Sequence, residues 1–147
     1  MTIDAGSARA RTRSDLLALI HPLSRELRRI EDDCAATAGL SMWQYAILSV
    51  AAAGDGLNQK AIADRLGYSQ NRLVGDLDRL SAKGLLSRQP GADRRSHAIR
   101  VTEDGRAVVA AVRAQIHERE DALLAHMAAD QRADLRGLLA TAIQRGD

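Results

Sequence analysis

The chain has 147 residues, enough for one domain with a core of its own, and 46% of them are hydrophobic. These are mostly Ala, Leu, Val and Ile; Phe is absent and Trp43, Tyr45 and Tyr68 are the only aromatics, which favours helices over a β-sandwich. A single cysteine, Cys34, excludes an internal disulfide framework and a Cys-rich zinc site. No apolar run approaches the roughly 18–20 residues that span a bilayer, and the leading MTIDAGSARARTRS lacks the apolar stretch of a secretory signal, so a soluble cytoplasmic protein is expected. The net charge is +2 but uneven. From Asn58 to Arg100, nine Lys/Arg face four Asp, giving +5, while twelve bases and fifteen acids leave −3 elsewhere. A basic segment on an acidic body suits a module with one face turned to phosphate.

In chain order, residues 1–13 are small, polar and basic without periodicity, and are expected to form a disordered arm. Residues 14–147 are expected to form a single domain. From Ser14, Leu16, Leu17, Ile20, Leu23, Leu27 and Ile30 recur at helical spacing, predicting a helix to about Ala38, with Pro22 kinking it or moving its start downstream. Ser41 and Gln44 form a capping box for a helix to about Ala53, with Leu40 and Tyr45 placed as its hydrophobic staple. Asn58 caps a third helix, Gln59–Leu66, which Gly67 closes; Ser69 then caps a fourth, Gln70–Lys83, with Tyr68 placed to staple Leu73. A short Gly-containing connection between two such helices is helix-turn-helix spacing. Leu85–Arg88 and His97–Val101 can pair around the polar loop Gln89–Ser96. Thr102 caps a long helix from Glu103 to about Met127, and Asp130 a last one to about Gln144. The fold class is therefore mainly α with a small β-hairpin: a winged helix-turn-helix lobe over 41–101 between long terminal helices.

On the fourth helix Leu73, Leu77 and Leu80 share the core face, which leaves Asn71, Gly75 and Asp78 opposite and Arg72, Val74 and Arg79 on the flanks. Base edges are met near the N-terminal end of such a helix, so Gln70, Asn71, Arg72 and Val74 are the candidates: amide for adenine, guanidinium for guanine, valine for the thymine methyl. Ser69, Lys60 and Arg79 complete the DNA-contacting set outside the hairpin. Gly75 costs about 1 kcal/mol of helix stability relative to Ala, which a close backbone approach would explain, and Asp76 and Asp78 oppose phosphate unless neutralised.

The stretch from Asp93 to Thr102, DRRSHAIRVT, has the form D-x-R, five intervening residues, then an aliphatic residue and Thr. With the L-x-x-K-G-L-L-x-R run from Leu80 to Arg88, it resembles the MarR family of bacterial transcriptional regulators. The resemblance implies that Arg95 enters the DNA minor groove, Asp93 holds the loop in shape and Arg94 meets phosphate. Val101 stands where the family usually has Leu, and Gly75 and Asp76 where it often has a polar or basic residue and an aliphatic one. The resemblance also implies a homodimer built through the terminal helices, 14–38 and 103–147. The apolar stripes Val108, Val109, Val112, Ile116, Leu123, Leu124 and then Leu135, Leu138, Leu139 and Ile143 agree with it. Such a dimer would bind a pseudo-palindromic double-stranded operator. A pocket between the lobes for a small aromatic or anionic effector is implied too, with His21, Arg25, Trp43 and Tyr45 as candidate lining. The function expected is that of a repressor of a nearby gene, released by such an effector. The alternatives are a winged-helix protein-interaction module and a redox-responsive regulator working through Cys34, although Asp32 and Asp33 beside it disfavour thiolate. No cofactor is expected, nor a metal, the best helical pair being His117 with Glu120 or Asp121. There is no nucleophile elbow or phosphate-binding loop, and so no enzyme is expected.

Overall fold

A computed structural model describes residues 15–90 and 97–144. In chain order the elements are α1 (Leu16–Thr37), α2 (Met42–Ala53), α3 (Gln59–Leu66), α4 (Gln70–Ala82), β1 (Leu86–Pro90), β2 (His97–Val101), α5 (Glu103–Leu123) and α6 (Ala129–Ala142). The strands form an antiparallel hairpin whose register pairs Leu86 with Val101 and Pro90 with His97.

Local chemistry sets most of these boundaries. The Ser41 hydroxyl accepts from the Gln44 amide and Gln44 Oε1 from the Ser41 amide, both at 3.1 Å, closing the capping box of α2. The Asn58 carboxamide caps α3 at the Ala61 amide, and Gly67 ends α3 in the left-handed conformation that a residue without Cβ adopts at least cost. Thr102 does double duty. Its hydroxyl donates to the Gly84 carbonyl at 2.7 Å and accepts from the Gly105 amide at 3.0 Å, so one side chain caps α5 and ties it to the end of the α4 turn.

Several boundaries differ from expectation, among them β1, which is shifted to Leu86–Pro90 and takes in Gln89 and Pro90 of the expected loop. α1 begins upstream of Pro22 and runs through it as one helix, forgoing the helical hydrogen bond to the Ala18 carbonyl that proline cannot make. α5 stops at Leu123. α6 begins at Ala129 because Gln131 Oε1 accepts the Ala128 amide at 2.9 Å, which leaves Asp130 in the first turn, where its charge favours the helix N-terminus, and not at the cap.

The core is one cluster. Ile30, Cys34 and Ala35 of α1 meet Ile47 and Leu48 of α2, Ile62 of α3, Leu73, Leu77 and Leu80 of α4, Ile99 of β2 and Val109, Val112 and Ile116 of α5. The last three belong to the stripe expected at a dimer contact; they are buried inside the protomer. Apart from Val74 on α4, the exposed large apolar residues among those described lie on α1 and near the C-terminus: Leu16, Leu17, Leu19, Ile20, Leu138, Leu139 and Ile143. Leu19, Ile20, Leu23 and Leu27 of α1 and Leu135 and Leu139 of α6 line a groove of about 400 Å³.

Glu31 stands at the edge of that groove, and burial, reinforced by the charge of Glu120, raises its carboxyl above the usual 4.5. A carboxyl raised in the folded state stabilises below the unfolded pKa and loses that contribution as pH climbs through the folded one. Glu31→Gln should therefore melt higher than wild type at neutral pH, with the gain disappearing below about pH 4. Parallel melts across that range test it, and an unchanged difference at every pH would contradict it.

Candidate nucleic-acid interface

α3, the turn Gly67-Tyr68-Ser69 and α4 form a helix-turn-helix. Leu73, Leu77 and Leu80 are fully buried and fix which side of α4 turns outward. Gln70, Asn71, Arg72, Asp78 and Arg79 are exposed, and Val74 is 39% exposed. Ser69 has the extended backbone of an N-cap, but its hydroxyl makes no cap hydrogen bond. Tyr68 packs against the core that contains Leu73 and also stacks on Trp43 of α2, ring centres 4.7 Å apart.

The outer side of α4 divides into two clefts. One, of about 580 Å³, lies between α3, α4 and the base of the hairpin, lined by Asn58, Gln59, Lys60, Gln70, Val74, Arg88, His97 and Ile99. Lys60 lies beside Asp64 at 3.3 Å, both exposed. Arg88, which sequence reasoning left out of the contact set, pairs with Asp78 at 2.8 Å and so anchors β1 to α4. On the other side of the hairpin, the Ile99 amide donates to the Leu57 carbonyl at 2.8 Å. The hairpin is thus fastened both to α4 and to the segment that enters α3. Asp93, Arg94 and Arg95 lie outside the described residues.

The second cleft, of about 430 Å³, runs between α4 and α2, with Trp43, Tyr68, Asn71, Arg72, Gly75 and Arg79 on its walls and Asp76 among its lining. Arg72 and Arg79 belong to this flank. The Arg72 guanidinium sits 5.3 Å from the Tyr68 ring centre, within cation–π range. Asp76 is only 7% exposed and points inward: it accepts from Gln44 Nε2 at 3.2 Å and from the Tyr68 hydroxyl at 2.7 Å, with Arg79 at 3.5 Å. Its charge therefore does not stand on the open face. Burial, together with the Asp76 carboxylate, raises the Tyr68 phenol above its usual value, so the hydroxyl stays a donor. A Cβ on Gly75 would meet only Arg79 Nη1, at 4.0 Å, so nothing in the protomer requires glycine there.

The four candidate effector residues do not gather. His21 and Arg25 are exposed on α1, Tyr45 is buried in the core, and Trp43 lines a shallow cleft with Arg28, Arg29 and Asp32. Cys34 is buried in the core, while the neighbouring Asp33 pairs with Arg119 at 2.9 Å. Glu120 and Asp121 are drawn to Arg136 at 2.8 and 3.9 Å; among the described residues no group of three or more His, Cys, Asp or Glu could hold a metal. Among those residues, too, no helix is long and apolar enough to cross a membrane.

A sequence profile of the MarR family matches residues 38–96, from the end of α1 into the hairpin loop. A transcriptional regulatory protein for the hcr operon of Thauera aromatica is 26% identical over 140 residues, 86% of this chain and 84% of that protein. The transcriptional repressor CouR, solved on a 23-mer DNA duplex, is 29% identical with a TM-score of 0.76, covering 98% of this chain and all of its own. A CouR from Rhodococcus jostii, solved with p-coumaroyl-CoA, matches at 23% identity and a TM-score of 0.75 over 91% of this chain and 96% of that one. Wild-type MarR of E. coli superposes with a TM-score of 0.79 at 22% identity, over 90% of this chain and 98% of its own. The helix-turn-helix, the hairpin fastened beside it and these relatives agree: residues 38–96 match the MarR family of transcriptional regulators, and the chain as a whole is similar to its members.

Proposed function

We propose that this protein is a homodimeric repressor that binds a pseudo-palindromic operator in the cytoplasm and lets go when a small aromatic or anionic molecule binds. The observation that carries the reading is the exposed face of α4. Gln70, Asn71 and Val74 stand free of the core beside two strands fastened to the same helix, which suits a helix in the major groove. Arg95, Asp93 and Arg94 take the hairpin contacts by their place in the D-x-R pattern, while Lys60, Ser69, Arg72 and Arg79 flank the helix. The exposed apolar residues of α1 and α6 supply the dimer contact, because a patch of that extent is unusual on a monomer. For the effector, the p-coumaroyl-CoA held by CouR favours an aromatic or acidic compound. Trp43 beside Arg28 and Arg29 offers matching chemistry. Nothing in the site calls for a reaction, so the role is that of a binding protein and not of an enzyme.

Selection of a duplex from a random-sequence pool, followed by titration of that duplex and of bulk DNA over a range of salt, tests the reading. A regulator prefers the selected duplex by about a thousandfold or more. A winged-helix module that merely meets acidic partners would bind both duplexes alike, with one salt slope. The redox alternative loses support from the burial of Cys34, since a sensing thiol needs solvent access.

A further inference from the structure

Asp76 is a charged residue turned into the protein from the helix assigned to base contact. Both of its oxygens are claimed by donors that have no other role open to them. Gln44 has its Oε1 committed to the Ser41 amide in the α2 cap, which fixes the orientation of its carboxamide and leaves Nε2 as a donor toward Asp76 Oδ1. The Tyr68 hydroxyl, kept protonated, donates to Oδ2. Position 76 therefore calls for a group that only accepts. An aspartate satisfies both donors, whereas an asparagine would set its own N–H₂ against one of them, and a buried donor left facing a donor is costly. The same carboxylate joins three parts of the lobe: the start of α2, the turn of the helix-turn-helix and the middle of α4. Tyr68 in turn carries the Arg72 guanidinium on its ring.

We propose that Asp76 is a positioning residue for DNA recognition. As the shared acceptor of Gln44 and Tyr68, it sets the rotation of α4 about its own axis and the seat of Arg72, and through them which bases the helix selects. A satisfied buried polar network can fix a single arrangement in this way where apolar packing alone leaves neighbouring rotations close in energy. The proposal rests on the DNA-binding reading above.

The full-length wild type, Asp76→Asn, Tyr68→Phe and the double variant Gln44→Glu/Asp76→Asn form the test. The double variant reverses the polarity of the pair. The new amide at 76 can donate to the new carboxylate at 44, whose other oxygen still accepts the Ser41 amide, and the Tyr68 hydroxyl keeps an acceptor. Only the contact to the exposed Arg79 is given up, and such contacts contribute little. Each protein is titrated with the duplex that wild type enriches from a random pool and with bulk DNA, and its melting midpoint is recorded.

Asp76→Asn should reduce the preference for the selected duplex about tenfold or more, with bulk affinity and salt slope unchanged. Tyr68→Phe should lower it less, and the double variant should restore it toward wild type. If Asp76→Asn does not fold, Tyr68→Phe, which keeps the ring and its stack, decides the matter alone. Single variants that melt lower yet keep full preference would show a purely structural network and overturn the proposal. A loss that the polarity swap leaves uncorrected would overturn it as well. If wild type itself enriches no duplex, the DNA-binding reading falls and takes the proposal with it; a selective wild type with equally selective variants sinks the proposal alone.

Discussion

Arg95→Ala should weaken operator binding by about 1–3 kcal/mol at each half-site, so that a dimer loses between roughly thirtyfold and about twenty-thousandfold in affinity. The argument joins sequence and structure. Arg95 occupies the arginine position of the D-x-R pattern in the loop that links β1 to β2, and a narrow minor groove attracts guanidinium through its concentrated negative potential. The hairpin base is held from two sides, by Arg88 on Asp78 of α4 and by the Ile99 amide on the Leu57 carbonyl, so β1 and β2, between which Arg95 lies in sequence, share a frame with α4. Contacts made from a preorganised frame lose less to ordering on binding. Anisotropy titrations of wild type and variant on the selected duplex measure the effect, with bulk DNA as the reference. Equal affinities on the selected duplex would remove Arg95 from the interface.

Gly105→Ala should destabilise the protein by about 2–4 kcal/mol, lowering the melting midpoint by roughly 5–15 °C. A Cβ built on Gly105 lies 2.0 Å from the Leu85 carbonyl oxygen and 2.7 Å from Val101 Cγ1. The carbonyl cannot swing aside, because it already accepts the Thr102 amide at 3.0 Å. Relief has to come from moving α5 off the hairpin, which disturbs Val109 and Val112 in the core behind it. The intrinsic advantage of alanine over glycine in a helix, about 1 kcal/mol, is too small to compensate. Gly75→Ala supplies the contrast: with open space at that site, the same helix preference should appear as a gain of up to about 1 kcal/mol. Thermal melts at matched protein concentration check both, since dimer formation makes the midpoint depend on concentration. Equal midpoints for the two variants would show that the crowding at Gly105 is relieved cheaply.

What could be read from the sequence was what is decided within a few residues. Ser41 with Gln44, Asn58, Gly67 and Thr102 announce their helix ends because a cap and its target lie three or four positions apart. The buried face of α4 followed from Leu73, Leu77 and Leu80 for the same reason. The role of Asp76 was illegible because its two donors, Tyr68 and Gln44, lie 8 and 32 residues away, beyond the reach of local spacing rules; seen alone, it resembles any solvent-facing acid. The stack of Tyr68 on Trp43 was illegible because a hydrophobic staple is local and that stack is not. The expected dimer stripe on α5 divided for a similar reason. Periodicity shows that Val109, Val112 and Ile116 need cover, but not that α1 and α2 of the same protomer supply it.

The Trp43–Tyr68 stack has an optical consequence. Trp43 is the only tryptophan in the chain and Phe is absent, so tryptophan emission has one source, at the junction of α2 with the helix-turn-helix. A fluorescence trace during unfolding therefore follows the seating of α4, while far-ultraviolet circular dichroism follows the helices as a whole. Where the two traces separate along a denaturant axis, the helix-turn-helix comes loose before the protein unfolds.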